Sequence, residues 1–366
     1  MTRTSELSLR ESCGGKLALS MALGAILILL SAGCGHSPSE TAAAGDASRP
    51  LFPVLINGAT GFINERGRVV IPARYEGALP FSEGLAAVSH EGRWGYINRS
   101  GEQVIPYLFR TAESFRGGVA IVNTGLPERP VGLIDPSGAW VVQPTFRFIT
   151  AADGPNGLLL GQKEPGEEPT FYDRSGNRFL GPYHQAFPFF EDRARVKNEA
   201  GEWIIDQTGN FIPNKPVSLD GTHYSNGMIA VRGNGKLGYM DLNGQITIEP
   251  RYDAGGIFVE GLAPVQLNGR WLFIDKSGAT VAKLPEEVIF AEPLSDGLSL
   301  VTAETGRATR KFGFVDKDGR WAVKPIWDEA QPFRDGLAYV GIWQGEVAVY
   351  INHRGKRVWE GRSAPQ

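Results

Sequence analysis

Nine Asx-x-x-Gly tetrads recur along this chain, and no other feature restricts its fold so tightly. Their glycines are Gly67, Gly101, Gly138, Gly176, Gly209, Gly244, Gly278, Gly319 and Gly355, at intervals of 34, 37, 38, 33, 35, 34, 41 and 36 residues. Three residues before them stand Asn64, Asn98, Asp135, Asp173, Asp206, Asp241, Asp275, Asp316 and Asn352. An Asx at the first position of a β-turn accepts hydrogen bonds from the backbone ahead of it, and a glycine at the fourth supplies a positive φ. Such a turn joins two antiparallel strands. Each tetrad therefore predicts a hairpin tip, and a near-constant period predicts repeated units.

The flanking residues agree. Before the tips run segments such as Trp94-Gly95-Tyr96-Ile97 and Gly313-Phe314-Val315, rich in aromatic and β-branched residues as a half-buried strand requires. After them come Val104-Ile105-Pro106, Ile246-Thr247-Ile248-Glu249-Pro250 and their counterparts. The proline cannot donate to a ladder, so it is expected to close the strand. An earlier strand opens each unit, as in Gly84-Leu85-Ala86-Ala87-Val88. No helix-period run follows residue 34. The fold class is therefore all-β: about nine units of three to four strands, spanning residues 51–359, with about 151–216 the most degenerate stretch and 360–366 a tail. A sheet of this size suits a propeller-like ring, which hides its edges by radial closure. An open β-solenoid is the alternative.

At residues 81–106 the pattern resembles the bacterial WG-repeat family. The matching residues are Phe81-Ser82-Glu83-Gly84-Leu85-Ala86-Ala87-Val88, then Arg93-Trp94-Gly95-Tyr96-Ile97-Asn98, then Val104-Ile105-Pro106. Further matches run from Gly235-Lys236-Leu237-Gly238-Tyr239-Met240-Asp241 through Tyr252-Asp253, and from Lys311-Phe312-Gly313-Phe314-Val315-Asp316 through Trp327-Asp328. The resemblance implies a repeat class without a uniform activity or catalytic residues.

The N-terminus reads as an address. Arg3, Arg10 and Lys16 precede an almost wholly apolar run over residues 17–30, which is about 21 Å as a helix and short for a membrane span. Small residues, Ser31-Ala32-Gly33, then lead to Cys34. The stretch resembles a bacterial lipobox, which implies cleavage before Cys34 and lipid modification of that cysteine. Residues 1–33 are then a lipoprotein signal peptide, and the small polar residues 34–50 a flexible tether. Gly35, where an Asp would favour inner-membrane retention, points to the outer membrane in a Gram-negative host. The other cysteine, Cys13, lies in the segment expected to be cleaved, so the mature chain holds no disulfide pair.

Motifs that carry chemistry dissolve into the repeat. Gly233-Asn234-Gly235-Lys236-Leu237-Gly238 matches a dinucleotide fingerprint but precedes no helix. Asp316-Lys317-Asp318-Gly319 lacks the ligand set of a calcium loop. The five histidines form no metal-ligand pair, and no nucleophile elbow appears. No cofactor is expected. With 37 basic and 40 acidic residues well mixed, nothing draws a phosphate backbone, so nucleic acid is not an expected partner.

What remains is binding. Trp94 and Trp271 hold the family tryptophan position and are expected to pack between units. Trp140, Trp327, Trp343 and Trp359 lie off that register and could stack on sugar rings. The period is interrupted at 124–130, 164–169, 283–293 and 304–311, and insertions in a repeat map to loops. The last carries Arg307, Arg310 and Lys311, a small cationic patch. The expectation is a lipid-anchored envelope module that acts through protein–protein contact and not as an enzyme. A cell-wall carbohydrate or peptidoglycan binder is the first alternative, and a hydrolase with a site in a central channel the second. Cys34→Ser is expected to move the protein from the membrane to the soluble fraction and to remove the lipid mass from the mature chain, read by fractionation and mass spectrometry.

Overall fold

The computed structural model describes residues 49–127, 130–150, 157–213, 218–221, 223–306, 309–342 and 347–362. These residues form nine antiparallel sheets in sequence order, closed into a nine-bladed β-propeller. Blade 1 has three strands, Leu51–Ile56, Ala59–Asn64 and Val69–Tyr75. Blades 2 to 9 have four each, spanning residues 77–109, 111–146, 148–180, 185–212, 218–252, 254–283, 288–327 and 329–362. Blade 2 shows the pattern: a short first strand Gly77–Ala78, then Leu85–His90, Arg93–Asn98 and Gln103–Phe109. Last strands lie outermost, for they carry exposed apolar residues such as Val69, Leu108, Val141, Phe211 and Ile326. The middle strands are buried on both faces, since each blade packs against two neighbours.

The hairpin tips form as the sequence predicts. All nine Asx side chains accept two backbone N–H groups, from two and four residues ahead. All nine tip glycines have a positive φ, between +70° and +86°. At Asp135, Asp173, Asp206 and Asp275 hydrogen bonds favour the charged form of the carboxyl. Hydrogen bonds from Thr208 and Asn210 hold the Asp206 carboxyl at about 2, below the usual 3.8. This contribution is present above the ordinary aspartate range and is lost as pH falls through about 2.

The tip glycines have a second duty that the turn type does not require. Each tip sits against the end of the preceding blade. A Cβ on Gly101 would stand 3.1 Å from the Ile71 side chain of blade 1, and one on Gly244 would stand 2.0 Å from the Pro213 carbonyl oxygen. The series is circular. A Cβ on Gly67 in blade 1 would stand 2.2 Å from the carbonyl oxygen of Val358 in blade 9. Phe52, Val54 and Ile63 of blade 1 share a core cluster with Leu337, Val358 and Trp359 of blade 9. The last unit packs on the first, so the open solenoid is excluded.

The proline behaves otherwise than expected. The last strand does not stop at it but continues to an aromatic residue, as in Val69–Tyr75 and Ile246–Tyr252. Between Phe62↔Ile71 and Thr60↔Tyr75 the third strand advances two residues and the last strand four. The same bulge occurs in blades 2, 3, 6 and 8. Pro72, Pro106, Pro144, Pro250 and Pro325 all lie inside these bulges, where no ladder N–H is needed.

The bulge also explains the glycine of the Trp-Gly pair. The bulged strand crosses over the third strand at Gly61, Gly95, Gly132, Gly238 and Gly313, where a Cβ would meet backbone atoms at 2.4–2.8 Å. Blades 4, 5, 7 and 9 lack the two-residue bulge and carry Thr170, Trp203, Leu272 and Val349 at that position. Crossing and glycine thus occur together in five blades and are both missing from the other four.

These close approaches give a stability prediction with an internal control. Gly67 and Gly92 both have a positive φ, +78° and +69°, but a Cβ on Gly92 meets nothing within 4 Å. In urea denaturation Gly92→Ala is expected to cost about 1 kcal/mol for backbone strain. Gly67→Ala should cost at least about 2 kcal/mol more, because Val358 must also move.

Candidate functional site: the axial cavities

In blades 2, 3, 5 and 9 the segment linking the first two strands faces the axis. In blade 2 it reads Leu79-Pro80-Phe81-Ser82-Glu83-Gly84. Its phenylalanine packs on the third strand of the preceding blade. The pairs Phe62–Phe81, Tyr96–Phe115, Phe171–Phe189, Tyr239–Phe258 and Phe314–Phe333 have centroids 4.7–4.9 Å apart. Such pairs add about 0.5–1.5 kcal/mol each beyond their burial. The next residue reaches forward: Ser82, Ser225 and Ser295 Oγ donate to the Phe115, Phe258 and Phe333 carbonyls at 2.6 Å. The residue after that accepts from a following glycine N–H: Glu83 from Gly118, Glu191 from Gly227, Asn226 from Gly261, Glu260 from Gly297 and Asp296 from Gly336. The Phe-x-Glu-Gly motif is thus a chain of clasps from blade to blade.

Two cavities open along this axis. The first, of about 480 Å³, is lined by residues from blades 2, 3, 4, 5 and 9 and therefore lies in the central channel. Phe148, Ile149, Val119, Ile121 and Phe190 supply apolar walls. Its charged groups are Glu113, Arg116 and Arg334. Glu113 is exposed to the channel by area, yet the surrounding wall desolvates it and raises its carboxyl above the usual glutamate value. Thr150 Oγ1 is buried without a hydrogen-bond partner among the described residues. Among those residues Glu113 is the one carboxylate lining this cavity, and no histidine joins it.

The second cavity, of about 390 Å³, lies at the seam between blades 9 and 1. Among the described residues no short first strand flanks it on the blade 1 side. Leu51, Phe52 and Pro53 face it from one side, and Phe333, Tyr339 and Tyr350 from the other. Tyr350 occupies the position of Tyr96 and Tyr239, two residues before the Asx. Those tyrosines donate to Glu113 and Gly256 carbonyls in the next blade's inner segment, at 2.8 and 2.7 Å. Tyr350 instead donates to the Pro53 carbonyl at 3.0 Å, in the strand behind the missing segment. Burial raises its phenol to about 12.

The residues singled out in the sequence do not meet at one place. Trp140 is half-buried and packs edge-on against Phe109, 6.1 Å between centroids. Trp327 is 2% exposed and closes the bulge of blade 8 opposite Phe312, so the expectation of a surface ring is corrected: it is core. Its equivalents Tyr75, Phe109, Phe146 and Tyr252 are buried as well. Lys311 is ion-paired with Asp328, as Lys236 is with Asp253 at the same place in blade 6. Lys311 therefore belongs to a repeated strand-to-strand pair and not to a free cationic patch. Arg310 is exposed beside Glu304. Cys34, Arg307 and Trp343 lie outside the described residues.

The period-breaking stretches do share a location. Residues 124–130 and 164–169 fall between the second and third strands of a blade, 304–311 spans the same turn in blade 8 with the strand ends on either side, and 283–293 runs from the last strand of blade 7 into the first of blade 8, Val288–Ser295. By topology both kinds of connection lie on the face opposite the Asx tips. Sequence reasoning missed the seam cavity, although the lack of a Phe-x-x-Gly segment before Leu51 was there to be read.

Residues 61–94, 94–125, 238–271 and 312–342 match the WG containing repeat. The chain carries WG repeats. These four cover units 1–2, 2–3, 6–7 and 8–9, and the remaining units have the same strand order. No curated protein matches the chain. A eukaryotic initiation factor of known crystal structure is similar with a TM-score of 0.59 at 10% identity, over 86% of this chain and 96% of that one. Citrobacter koseri AztD gives a TM-score of 0.41 at 13% identity, over 87% and 95%. At such identities the first likeness speaks for the fold alone.

The channel carboxyl yields a pH prediction. A raised folded-state pKa means that ionising Glu113 costs stability at neutral pH, and that the cost disappears as pH falls below the ordinary value of 4.5. Glu113→Gln is expected to be more stable than the parent at pH 7 and equal to it near pH 4, by urea denaturation at the two pH values.

Proposed function

We propose that this protein is a lipid-anchored interaction module of the bacterial cell envelope, binding other proteins without catalysing a reaction. The observation that carries the reading is the division of labour between the two faces. The residues that the units share are spent on holding the ring: tip glycines, crossing glycines and clasps. The residues in which the units differ are gathered in connections on the opposite face. A closed ring can vary the connections at 124–130, 164–169 and 304–311 freely, because each begins and ends within one blade, whereas 283–293 also gives Leu284, Val288 and Ala291 to the core between blades 7 and 8. This is the arrangement expected of a rigid platform with a variable binding surface.

The location rests on the lipobox-like residues before Cys34. Residues 34–50 then tether the ring to the membrane, the outer membrane in a Gram-negative host. The carbohydrate or peptidoglycan alternative drew on tryptophans off the repeat register. It loses support from the burial of Trp327 and the partial burial of Trp140.

The test is capture from intact envelopes with the full-length chain as bait after cross-linking. A defined protein partner should be enriched. Its recovery should fall when the connection at residues 305–309 is replaced by the short Asn-Gly hairpin of blade 6. Enrichment of peptidoglycan fragments with no protein partner would overturn the reading in favour of the glycan binder.

A further inference from the structure

The repeat specifies what is absent from blade 1. In each other blade a short first strand pairs along the second strand. In blade 2, Glu76 N–H donates to the Ser89 carbonyl and Leu79 N–H to the Ala87 carbonyl. The corresponding residues of blade 1 are Leu55 and Pro53, and among the described residues no strand pairs with that edge. Proline does not forbid pairing there, since Pro264 holds the same place in blade 7 and its carbonyl accepts from Gly256 N–H.

Three groups of blade 9 stand where clasps are made elsewhere. Tyr350 offers the ring on which the next blade's phenylalanine would pack. Arg334 is in the position of Ser82, Ser225 and Ser295, which donate to that phenylalanine's carbonyl. Asp335 is in the position of Glu83 and Glu260, which accept from the glycine three residues further on. Neither Arg334 nor Asp335 makes a side-chain hydrogen bond or ion pair among the described residues. By alignment with Phe81 and Gly84, the chain's own residues at these places are Ala47 and Pro50. Alanine cannot fill an aromatic slot, and proline has no N–H for Asp335. Residues 36–48 hold no aromatic, leucine or isoleucine side chain at all.

We propose that the seam cavity is a peptide-binding site that takes an extended segment with a Pro-aromatic pair from a partner protein. The segment adds antiparallel to Leu51–Ile56, seats its aromatic ring beside Tyr350, and is held by Arg334 and Asp335. Strand addition supplies backbone hydrogen bonds and the slot supplies selectivity. The ring's own segments define the chemistry, since Leu79-Pro80-Phe81, Phe187-Pro188-Phe189 and Gln331-Pro332-Phe333 fill the equivalent places in blades 2, 5 and 9. The inference rests on reading the ring as a protein-binding module, but it concerns the tip face and not the variable connections.

The probe is a synthetic octapeptide, Gly-Ala-Leu-Pro-Phe-Ser-Glu-Gly, the sequence of residues 77–84, titrated calorimetrically into the full-length protein. Saturable binding is expected, and replacing the peptide's phenylalanine by alanine should weaken it at least about tenfold. Arg334→Ala and Asp335→Ala are exposed changes that leave the fold intact by circular dichroism, and each should weaken binding several-fold. Binding should also slow hydrogen exchange at the Leu55 amide. The proposal is overturned by absence of saturable binding at millimolar peptide, or by equal binding of the alanine peptide. A Leu55 amide already protected without peptide also overturns it, in favour of the chain's own preceding residues in a monomer or of a second copy in a dimer. Envelope capture that fails while the octapeptide binds would count against the variable-face reading alone.

Discussion

Everything in this ring depends on how near one blade's hairpin tip can come to the last strand of the blade before it. The distance is set by a hydrogen atom in place of a methyl group. A turn of the Asx type can close with several residues in the left-handed region, and asparagine or aspartate would often serve. At Gly67, Gly244 and Gly319 glycine is required, because a carbonyl oxygen of the preceding blade stands 2.0–2.5 Å from where a Cβ would be, and at the other tips a Cβ would press on a neighbouring side chain. The local demand of the turn and the global demand of the ring fall on one atom position. That coincidence lets a stretch of about 35 residues specify both its own sheet and its angle to the next.

Closure then follows from repetition with one exception. Among the described residues, five junctions carry a phenylalanine packed on the preceding blade, and five carry a carboxylate or amide that accepts from the next blade's glycine. The ninth junction is made differently, by Tyr350 on the Pro53 carbonyl and by the cluster around Phe52 and Trp359. It is also where the two ends of the described chain meet.

Much of this was legible in the sequence. The Asx-Gly spacing yields the number of units and the all-β class, because a turn is a local object whose chemistry is written in adjacent residues. The fate of the prolines was not legible. Whether Pro72 ends a strand or sits in a bulge depends on Gly61, which lies eleven positions earlier and becomes its neighbour only in the folded sheet. Trp327 was misjudged for a related reason. It is off register with Trp94 but in register with Tyr75 and Tyr252, a correspondence visible once the last strand is known to run past the proline. The cationic reading of Lys311 failed because its partner Asp328 belongs to the connection into blade 9. The seam cavity was hidden because its signal is a departure from pattern, residues 47–50 lacking the Phe-x-x-Gly that other units carry.

The crossing of the last strand over the third has a consequence for how such chains can change over time. A blade with a glycine before its aromatic residue can carry the two-residue excess, and a blade without it must end its last strand early or run it straight. Blades 4, 5, 7 and 9 are of the second kind and blades 1, 2, 3, 6 and 8 of the first. Neither half of this choice is viable alone. Replacing the glycine while keeping the excess drives a side chain into backbone, and removing the excess leaves the glycine uncovered. Among related repeats, an altered residue in one strand and a changed length in the next should be inherited as a linked pair, and a comparison that scores substitutions and gaps separately would see two events where the sheet permits one.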